Sequence, residues 1–532
     1  MKTKSMGEPS IRGSSERARM ILLNFCAIGV TFTWVVELTY CTPYLLDLGL
    51  TKSNTSLIWI AGPLSGLLVQ PIVGVIADEN TSRWGRRRPI MVIGALIVAC
   101  CLLVLGFTKE LVGLVVPNEK LAKGPTMALA VLSIYTLDFA INAVMSCSRS
   151  LLVDVLPLEK QQAGAAWASR MSAVGHIVGY SSAAMNLPRL LGTTLGTTQF
   201  QQLTVIAVAA LLVTTGVTCW AVNESVLVSG KGTKSRSAYG VLRQIYLTMR
   251  HLPPRIQAIC WATFWSWIGW FPFMFYSTTW VGETYFRYDI PADAKQSEDA
   301  LGEVGRIGST ALVFYSIITF LGAFLLPIFV KSPDEGRYTT RPPQAVAGLL
   351  RTFQEMKPDL LSMWIIGHLM FAGSMVFAPL ATSFRFATVL VCLCGIPWTI
   401  AGWAPSALLG MEVNKMSSPG YKRLSNDVDV ELSDLNGSSN LLGNDDADSS
   451  SGGELSGIYF GILNIYTTVP QFLGSLIAAV VFAALEPGKS QELAGEQGVP
   501  KTEGLNAISV CLFIGAVCAF VASFATRKLK HL

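Results

Sequence analysis

One long apolar stretch, YTLDFAINAVMSCSRSLLVD from Tyr135 to Asp154, contains an acid, an amide and a guanidinium. At about 100° per residue, their spacing puts them on one face of a helix. The residues of this face are Asp138, Asn142, Met145 and Arg149. A charge at the centre of a membrane costs at least roughly 2.5–3.5 kcal/mol, so an ionisable residue there is a candidate functional group. Asp138 and Arg149 lie about 16 Å apart along the axis, so we expect them to share a cavity wall without touching.

A second carboxyl group stands in the first apolar run, where Glu37 follows Trp34. A carboxyl group that alternates between its neutral and charged forms can carry a proton across a membrane interior. Glu37 could also anchor an arginine, or could lie in water near the outer interface. The sequence leaves these three interpretations open.

The composition predicts a membrane protein that must hold these groups on helices. Of 532 residues, 51% are hydrophobic and only 14% are charged, and there are 13 Trp, 25 Phe and 47 Gly. Apolar runs of roughly 20 residues, the length that crosses a bilayer as a helix, recur about twelve times. We therefore predict an all-α membrane protein with twelve transmembrane helices. The 11 cysteines form no CxxC pair and fit buried packing thiols.

Lysines and arginines accumulate on every second loop, which by the positive-inside rule places those loops and both termini in the cytoplasm. A net charge of +5 distributed in this way does not indicate nucleic-acid binding. The predicted organisation is a cytoplasmic tail (1–19), a six-helix bundle (20–221), a cytoplasmic linker (222–255), a second six-helix bundle (256–526) and a short tail (527–532). The polar segment 413–453 inside the second bundle is predicted to be a disordered cytoplasmic loop.

The loop after the second run begins with a glycine three residues before Asp78 and continues with Gly85 and arginines, which resembles the signature of the major facilitator superfamily. Its longer form, preceded by GPLSGLLVQP, resembles the sucrose transporters of the glycoside-pentoside-hexuronide group. Three more stretches resemble the same group: LDFAINAVMSCSRSLLVD, Ile268 to Phe273, and Gly457 to Gln471.

This resemblance implies a major facilitator fold of two six-helix bundles around a central site with alternating access. It implies that Asp138 carries the proton, assisted by Glu37. Candidate substrate-binding residues are Arg149, Asn142, Trp34, Trp270, Asn464 and Gln471. Candidate gating residues are Asp78, Arg86, Arg87 and Asp154, in which Asp78 would pair with Arg86 or Arg87.

The chain departs from the plant pattern where Ser277 and Thr279 replace acids and Glu283 replaces a basic residue. These departures indicate a fungal-type relative, for which sucrose and maltose-like α-glucosides are both reasonable substrates. The resulting hypothesis is a monomeric proton symporter of a disaccharide in the plasma membrane, with the proton as co-substrate and no cofactor or metal. An uncoupled or exporting carrier and a non-transporting sugar sensor remain as alternatives. An enzyme is not expected, because GxSxG, HExxH and GxxxxGK[ST] are absent.

Overall fold

The computed structural model describes residues 5–6, 9–224, 226–227, 246–289, 300–331, 357–417, 448–487 and 506–532. The first half of the chain contains helices α1 Glu16–Leu23, α2 Cys26–Val36, α3 Thr42–Asp47, α4 Lys52–Ile58, α5 Ala61–Glu79, α6 Arg88–Gly106, α7 Thr108–Val115, α8 Glu119–Val155, α9 Leu158–Ala184, α10 Leu187–Leu191 and α11 Gln199–Ala221. The second half contains α12 Pro254–Thr284, α13 Ala300–Phe329, α14 Leu360–Met375, α15 Phe384–Leu393, α16 Gly395–Ser417, α17 Asp448–Leu485 and α18 Ala507–Lys528.

Within the described residues, 10 helical segments are long and apolar enough to cross a membrane. Two further helices, α9 with 27 residues and α12 with 31, have the required length at 1.5 Å per residue but contain many small and polar residues. The all-α membrane fold is therefore confirmed, and the count of twelve crossings stays a prediction.

Small residues allow the closest helix crossing of the second half, between α12 and α18. A Cβ atom added to Gly269 would lie 2.6 Å from the carbonyl oxygen of Gly515, and one added to Gly515 would lie 2.9 Å from Cα of Gly269. The two backbones therefore touch where neither residue has a side chain, as membrane helices do at small-residue interfaces.

The buried core is shared at one end of the protein and divided at the other. The largest cluster joins both halves of the chain and includes Trp59, Trp280 and Phe482. Toward the opposite end the two halves have separate clusters, one around Met91 and the other around Leu409. We call the first end the fused side and the second the tail side, because the tail side also carries the chain termini.

Four two-residue strands close the tail side of the first half. They are β1 Ser5–Met6, β2 Ser10–Ile11, β3 Val222–Asn223 and β4 Val226–Leu227, and they pair antiparallel as β1 with β4 and β2 with β3. The amide of Arg12 also donates to the carbonyl of Ala221 at 2.8 Å. The predicted N-terminal tail is thus attached to the segment that follows α11.

The predicted loop 413–453 is shorter at both ends in the structure. Helix α16 continues through Val413, which is 2% exposed in the core, and ends at Ser417. Helix α17 begins at Asp448, and residues 418–447 lie outside the described residues. Most of the predicted linker 222–255 lies outside them as well, at 228–245.

Candidate functional site

Two carboxyl groups meet in the interior of the first half. Glu37 is 2% exposed and Asp138 is completely buried, and the two carboxyl groups interact with each other. No other group of the described residues forms a hydrogen bond with either carboxyl, and no described cation pairs with them. Because two adjacent carboxylates without a cation are not both charged in a dry interior, at least one of them holds a proton.

The local backbone around Glu37 departs from α-helical geometry. Residues Glu37–Cys41 form a π-helical turn between α2 and α3, and Pro43 follows in the first turn of α3. Pro43 has no amide hydrogen to donate to the carbonyl of Thr39, so the hydrogen-bond ladder has a missing step at this point. Single π-helical turns are frequent at functional sites. This one starts at the residue whose side chain meets Asp138.

One helical turn beyond Asp138, the amide of Asn142 is held on both sides. Its Nδ2 donates to Ser65 Oγ on α5 at 2.8 Å and to the carbonyl of Asp138 at 2.9 Å. Ser65, completely buried, donates in turn to the carbonyl of Gly62 at 2.8 Å. Both amide hydrogens are therefore in use, which leaves the amide oxygen as the acceptor that Asn142 can offer to a ligand.

The predicted polar face of α8 becomes more exposed toward the tail side. Asn142 is 4% exposed, Met145 is half-buried, and Arg149 is exposed. Trp34 on α2 donates from Nε1 to Met145 Sδ at 3.3 Å, so this face is directed at α2. Arg149 lies at the open end of the face and has no ion pair among the described residues.

The other predicted substrate residues lie in the second half, away from the carboxyl pair. Trp270 is 2% exposed and packs on Phe371 and Trp398, with ring centroids 4.2 and 5.0 Å away. Asn464 is exposed, and Gln471 donates to the carbonyl of Thr467 at 3.0 Å. Within the described residues, the printed contacts of these three side chains all stay in their own bundle, and their roles stay predictions.

The predicted gating residues meet on the tail side of the first half. Asp154 Oδ2 lies 3.2 Å from Arg86 Nη2 and 3.0 Å from Arg87 Nε. The sequence expectation was that Asp78 pairs with these arginines, but the side chain of Asp78 lies outside the described residues. The observed ion pairs connect the N-terminal end of α6 to the C-terminal end of α8.

Sequence reasoning missed Glu224 beside these arginines. Its carboxylate accepts from the backbone amides of Arg86, Arg87 and Arg88 at 2.7, 2.9 and 2.9 Å. Unsatisfied amides and the helix dipole make the start of a helix favourable for an anion, so Glu224 stabilises the start of α6. Gly85, with a positive φ of 112°, lies against this carboxylate and leaves no space for a Cβ atom. A glycine before a basic run was the available signal.

Sequence reasoning also missed a charged cluster on the fused side. Lys52 Nζ lies 2.7 Å from Glu283 Oε1 and 2.6 Å from Glu486 Oε2. Arg287 Nη2 lies 2.8 Å from the other oxygen of Glu486. Asn506 donates to Glu283 at 3.0 Å, which completes the cluster. We call these five residues the fused-side cluster.

Glu486 directly follows the last residue of α17 and lies outside the membrane-spanning segment. Partial burial acts to raise its pKa, but the charges of Lys52 and Arg287 and the amide of Ala507 outweigh burial and lower the pKa to about 2. Glu486 is therefore a carboxylate at neutral pH.

Comparison with known proteins identifies the family. The family described as MFS/sugar transport protein matches residues 24–290, about half of the chain. The general alpha-glucoside permease of Schizosaccharomyces pombe is 30% identical, over 96% of this chain and 93% of that protein. The chain belongs to the MFS/sugar transport protein family. This MFS protein is thus a multi-pass membrane protein of a transporter family and not an enzyme.

Other relatives of this MFS protein agree with the assignment. The sucrose transport protein SUT3 of Oryza sativa subsp. japonica is 27% identical, over 90% of this chain and 88% of that protein. The sucrose transport protein SUC4 of Arabidopsis thaliana is 26% identical, over 76% and 79%.

Solved structures of major facilitator proteins have the same fold. The nucleoside transporter NupG aligns with a TM-score of 0.56 at 12% identity, covering 96% of this chain and 99% of that one. The D-xylose-proton symporter aligns with a TM-score of 0.53 at 12% identity, covering 96% and 97%. The sequence prediction of a major facilitator fold is therefore confirmed.

Proposed function

We propose that this MFS protein is a proton-coupled symporter that imports sucrose or maltose-like α-glucosides by alternating access. The observation that carries the proposal is the buried pair of Glu37 and Asp138, which has no cation partner among the described residues. A purely structural pair would be expected to have a cation or hydrogen-bond donors, because unpaired buried charge is costly. The names of the alpha-glucoside and sucrose carriers among its relatives support the substrate class.

In this proposal the pair binds the transported proton when the central site faces the outside. Loading the proton removes the net charge of the pair, and the neutral, sugar-loaded carrier can then change conformation at lower cost. Release of the proton on the inner side weakens sugar binding, because the coupling between two ligands is reciprocal. Asn142, one helical turn from Asp138, is suited to transmit this coupling because its amide is hydrogen-bonded to the Asp138 carbonyl.

We assign the tail side to the cytoplasm, because basic residues such as Arg86, Arg87 and Lys530 belong to it. With this orientation the protein is closed toward the outside, where the core is shared, and divided toward the inside. Arg149 then lies on the cytoplasmic path from the carboxyl pair, suited to contact sugar hydroxyls together with Trp34. Asn464, Gln471 and Trp270 would contribute from the second bundle.

We further propose that the protein acts as a monomer in the plasma membrane. Each bundle pair encloses its own central site in this fold, so no second copy is needed for alternating access. Uptake of an external sugar requires the plasma membrane.

The test is transport by the purified protein in liposomes with an imposed pH gradient, acidic outside the protein's external face. We expect uphill accumulation of sucrose or maltose that collapses with a protonophore, and no accumulation of a monosaccharide. Asp138→Asn should lose accumulation but retain equilibrium exchange of sugar across the membrane. Asp47→Asn, which changes a carboxylate paired with Lys109 near the surface, is the matched control and should accumulate sugar normally.

Uphill accumulation by Asp138→Asn at the wild-type level would overturn the role of the carboxyl pair. Sugar flux in the wild type that ignores the pH gradient would instead identify an uncoupled carrier. Sugar binding without flux would identify a sensor.

A further inference from the structure

On the fused side, one cation of the first bundle is enclosed by two carboxylates of the second. Lys52, the first residue of α4, is 4% exposed, and its ammonium contacts both Glu283 at 2.7 Å and Glu486 at 2.6 Å. Glu283 is completely buried near the end of α12. The side chain of Glu486 is 16% exposed beyond the end of α17. Charges this deep are retained only where they are paired.

The cluster is balanced only while the two bundles are together. It contains two cations, Lys52 and Arg287, and two carboxylates, Glu283 and Glu486. If Lys52 leaves, the second bundle keeps two carboxylates with one guanidinium and has a net negative charge. The first bundle withdraws a single positive charge, so the two surfaces attract each other again.

The second bundle holds its carboxylates in place without help from Lys52. Arg287 binds Glu486 at 2.8 Å, the amide of Ala507 donates to Glu486 at 3.0 Å, and Asn506 donates to Glu283 at 3.0 Å. The receptor for the Lys52 ammonium is therefore rigid and does not have to re-form each time the bundles meet.

The remaining polar contacts across this seam are uncharged. Ser53 Oγ donates to the carbonyl of Ala479 at 2.9 Å, and the Tyr276 hydroxyl donates to Ser56 Oγ at 2.9 Å. Neutral hydrogen bonds are individually weaker than charge-assisted ones, so Lys52 forms the strongest polar link between the bundles on this side.

We propose that Lys52 is the gating cation of the fused side, and that this side opens only when the Lys52 ammonium leaves Glu283 and Glu486. The proposal rests on the proposed function, because a gate has a purpose only in a carrier that alternates its access. Lys52 acts on transport through the two carboxylates and makes no contact with sugar. It is therefore a positioning residue for the closed state and not part of the carboxyl pair.

A native thiol reports on this gate. Cys511, on α18, is 1% exposed and lies close enough to Lys52 and Glu486 to interact with both charges. A thiol reagent applied from the external face reaches Cys511 only when the fused side opens. Labelling of Cys511, measured by mass spectrometry of the full chain in membrane vesicles, needs neither sugar nor a pH gradient.

We expect Lys52→Met, which keeps the length of the side chain but removes its charge, to raise the labelling rate of Cys511 at least about tenfold, equivalent to about 1.4 kcal/mol. Lys52→Arg should label close to the wild-type rate. Lys109→Met is the matched control, because it removes the cation of an exposed ion pair with Asp47 on the same side. It should leave the labelling rate unchanged.

Glu283→Gln with Glu486→Gln provides a second, independent route, because it removes the carboxylates and leaves Lys52 in place. The proposal predicts the same rise in labelling. If Lys52→Met unfolds, this double variant decides. Labelling at the wild-type rate in the variants that fold would overturn the gate.

The gate and the proposed function fail separately. If Cys511 labelling rises in Lys52→Met while the wild type moves no sugar in liposomes, the gate stands and the proposed transport function is wrong. If the wild type accumulates sugar and labelling does not change, the transport function stands and the gate is wrong.

Discussion

The carboxyl group of Glu37, at the first residue of a π-helical turn, interacts with the carboxyl group of Asp138 in the buried interior of the first bundle. Neither has a hydrogen-bond donor from elsewhere among the described residues. Two groups in this relationship titrate as a pair, so the proton belongs to both rather than to one of them.

The first prediction concerns this sharing. We expect Glu37→Gln to reduce proton-driven sugar accumulation to passive equilibration, as Asp138→Asn does, because either change leaves one carboxyl without its partner. The double variant should be no worse than either single variant, since residues that act as a unit are not additive. The measurement is the accumulation ratio of all three variants in the same liposomes.

Equilibrium exchange of sugar in the same preparations controls for folding of these variants. If Glu37→Gln accumulated sugar like the wild type, the proton would belong to Asp138 alone. The π-helical turn would then have a structural role only.

The second prediction concerns the orientation of Asn142 by Ser65. Ser65→Ala removes the hydroxyl that accepts from the Asn142 amide, so the amide is free to rotate. We expect the KM for sugar to rise about fivefold, the value of one hydrogen bond of about 1 kcal/mol, with kcat close to the wild type. Initial uptake rates over a range of sugar concentrations measure both constants.

Ser182→Ala is the matched control, because the Ser182 hydroxyl bonds only to the carbonyl of Val178 in its own helix. A similar KM in Ser65→Ala and the wild type would contradict a role of Asn142 in sugar binding. An equal loss of kcat and unchanged KM would point to the proton step instead.

The third prediction concerns the crossing of α12 and α18. Gly269→Ala places a methyl group 2.6 Å from a backbone oxygen of Gly515, so the helices must separate. We expect a loss of about 1–3 kcal/mol of stability, the usual cost of overpacking, seen as a lower Tm in detergent. Gly373→Ala on α14, where no atom lies within 4 Å of an added Cβ, should keep or slightly raise the Tm. Equal Tm values for the two variants would contradict the crossing.

The fourth prediction concerns acid stability of the fused-side cluster. The pKa of Glu486 is about 2 in the folded protein, below its ordinary value of 4.5. A group with a lowered pKa contributes stability that is fully present above pH 4.5 and is lost as the pH falls toward 2. The difference in unfolding free energy between wild type and Glu486→Gln, at most about 3 kcal/mol, should therefore be constant near neutral pH and shrink below this value.

Thermal unfolding in detergent between neutral pH and pH 3 measures this difference, with Lys52, Arg287 and Glu283 unchanged in both proteins. A difference that stays constant down to pH 3 would mean that Glu486 is not held by the two cations.

The membrane fold was predictable because hydropathy is a property of single segments. Lengths of roughly 20 apolar residues follow from the thickness of the bilayer alone. Helices α9 and α12 gave the weakest hydropathy signal, since small and polar residues such as Ser172 and Thr279 interrupt their apolar runs. The polar face of α8 was predictable for the same local reason, because helical geometry fixes which of its residues align.

The fused-side cluster was not predictable, because its members are distant in the chain. Lys52 and Glu283 are separated by 231 positions, and each stands at the end of an apolar run, where a charge usually lies in water. Glu283 stood out only as a departure from the plant pattern. Ser65 was likewise indistinguishable from other small residues of GPLSGLLVQP until α5 and α8 were packed together.

The pairing of β2 with β3 joins the beginning of the first bundle to its end. Arg12 reinforces this join, since its guanidinium lies 4.6 Å from the ring centre of Trp220. The first half is therefore a loop stitched at its base, and the chain continues to the second half through a single connection. Production of the two halves as separate polypeptides should accordingly yield a complementing pair, in which the first fragment already carries its own closure.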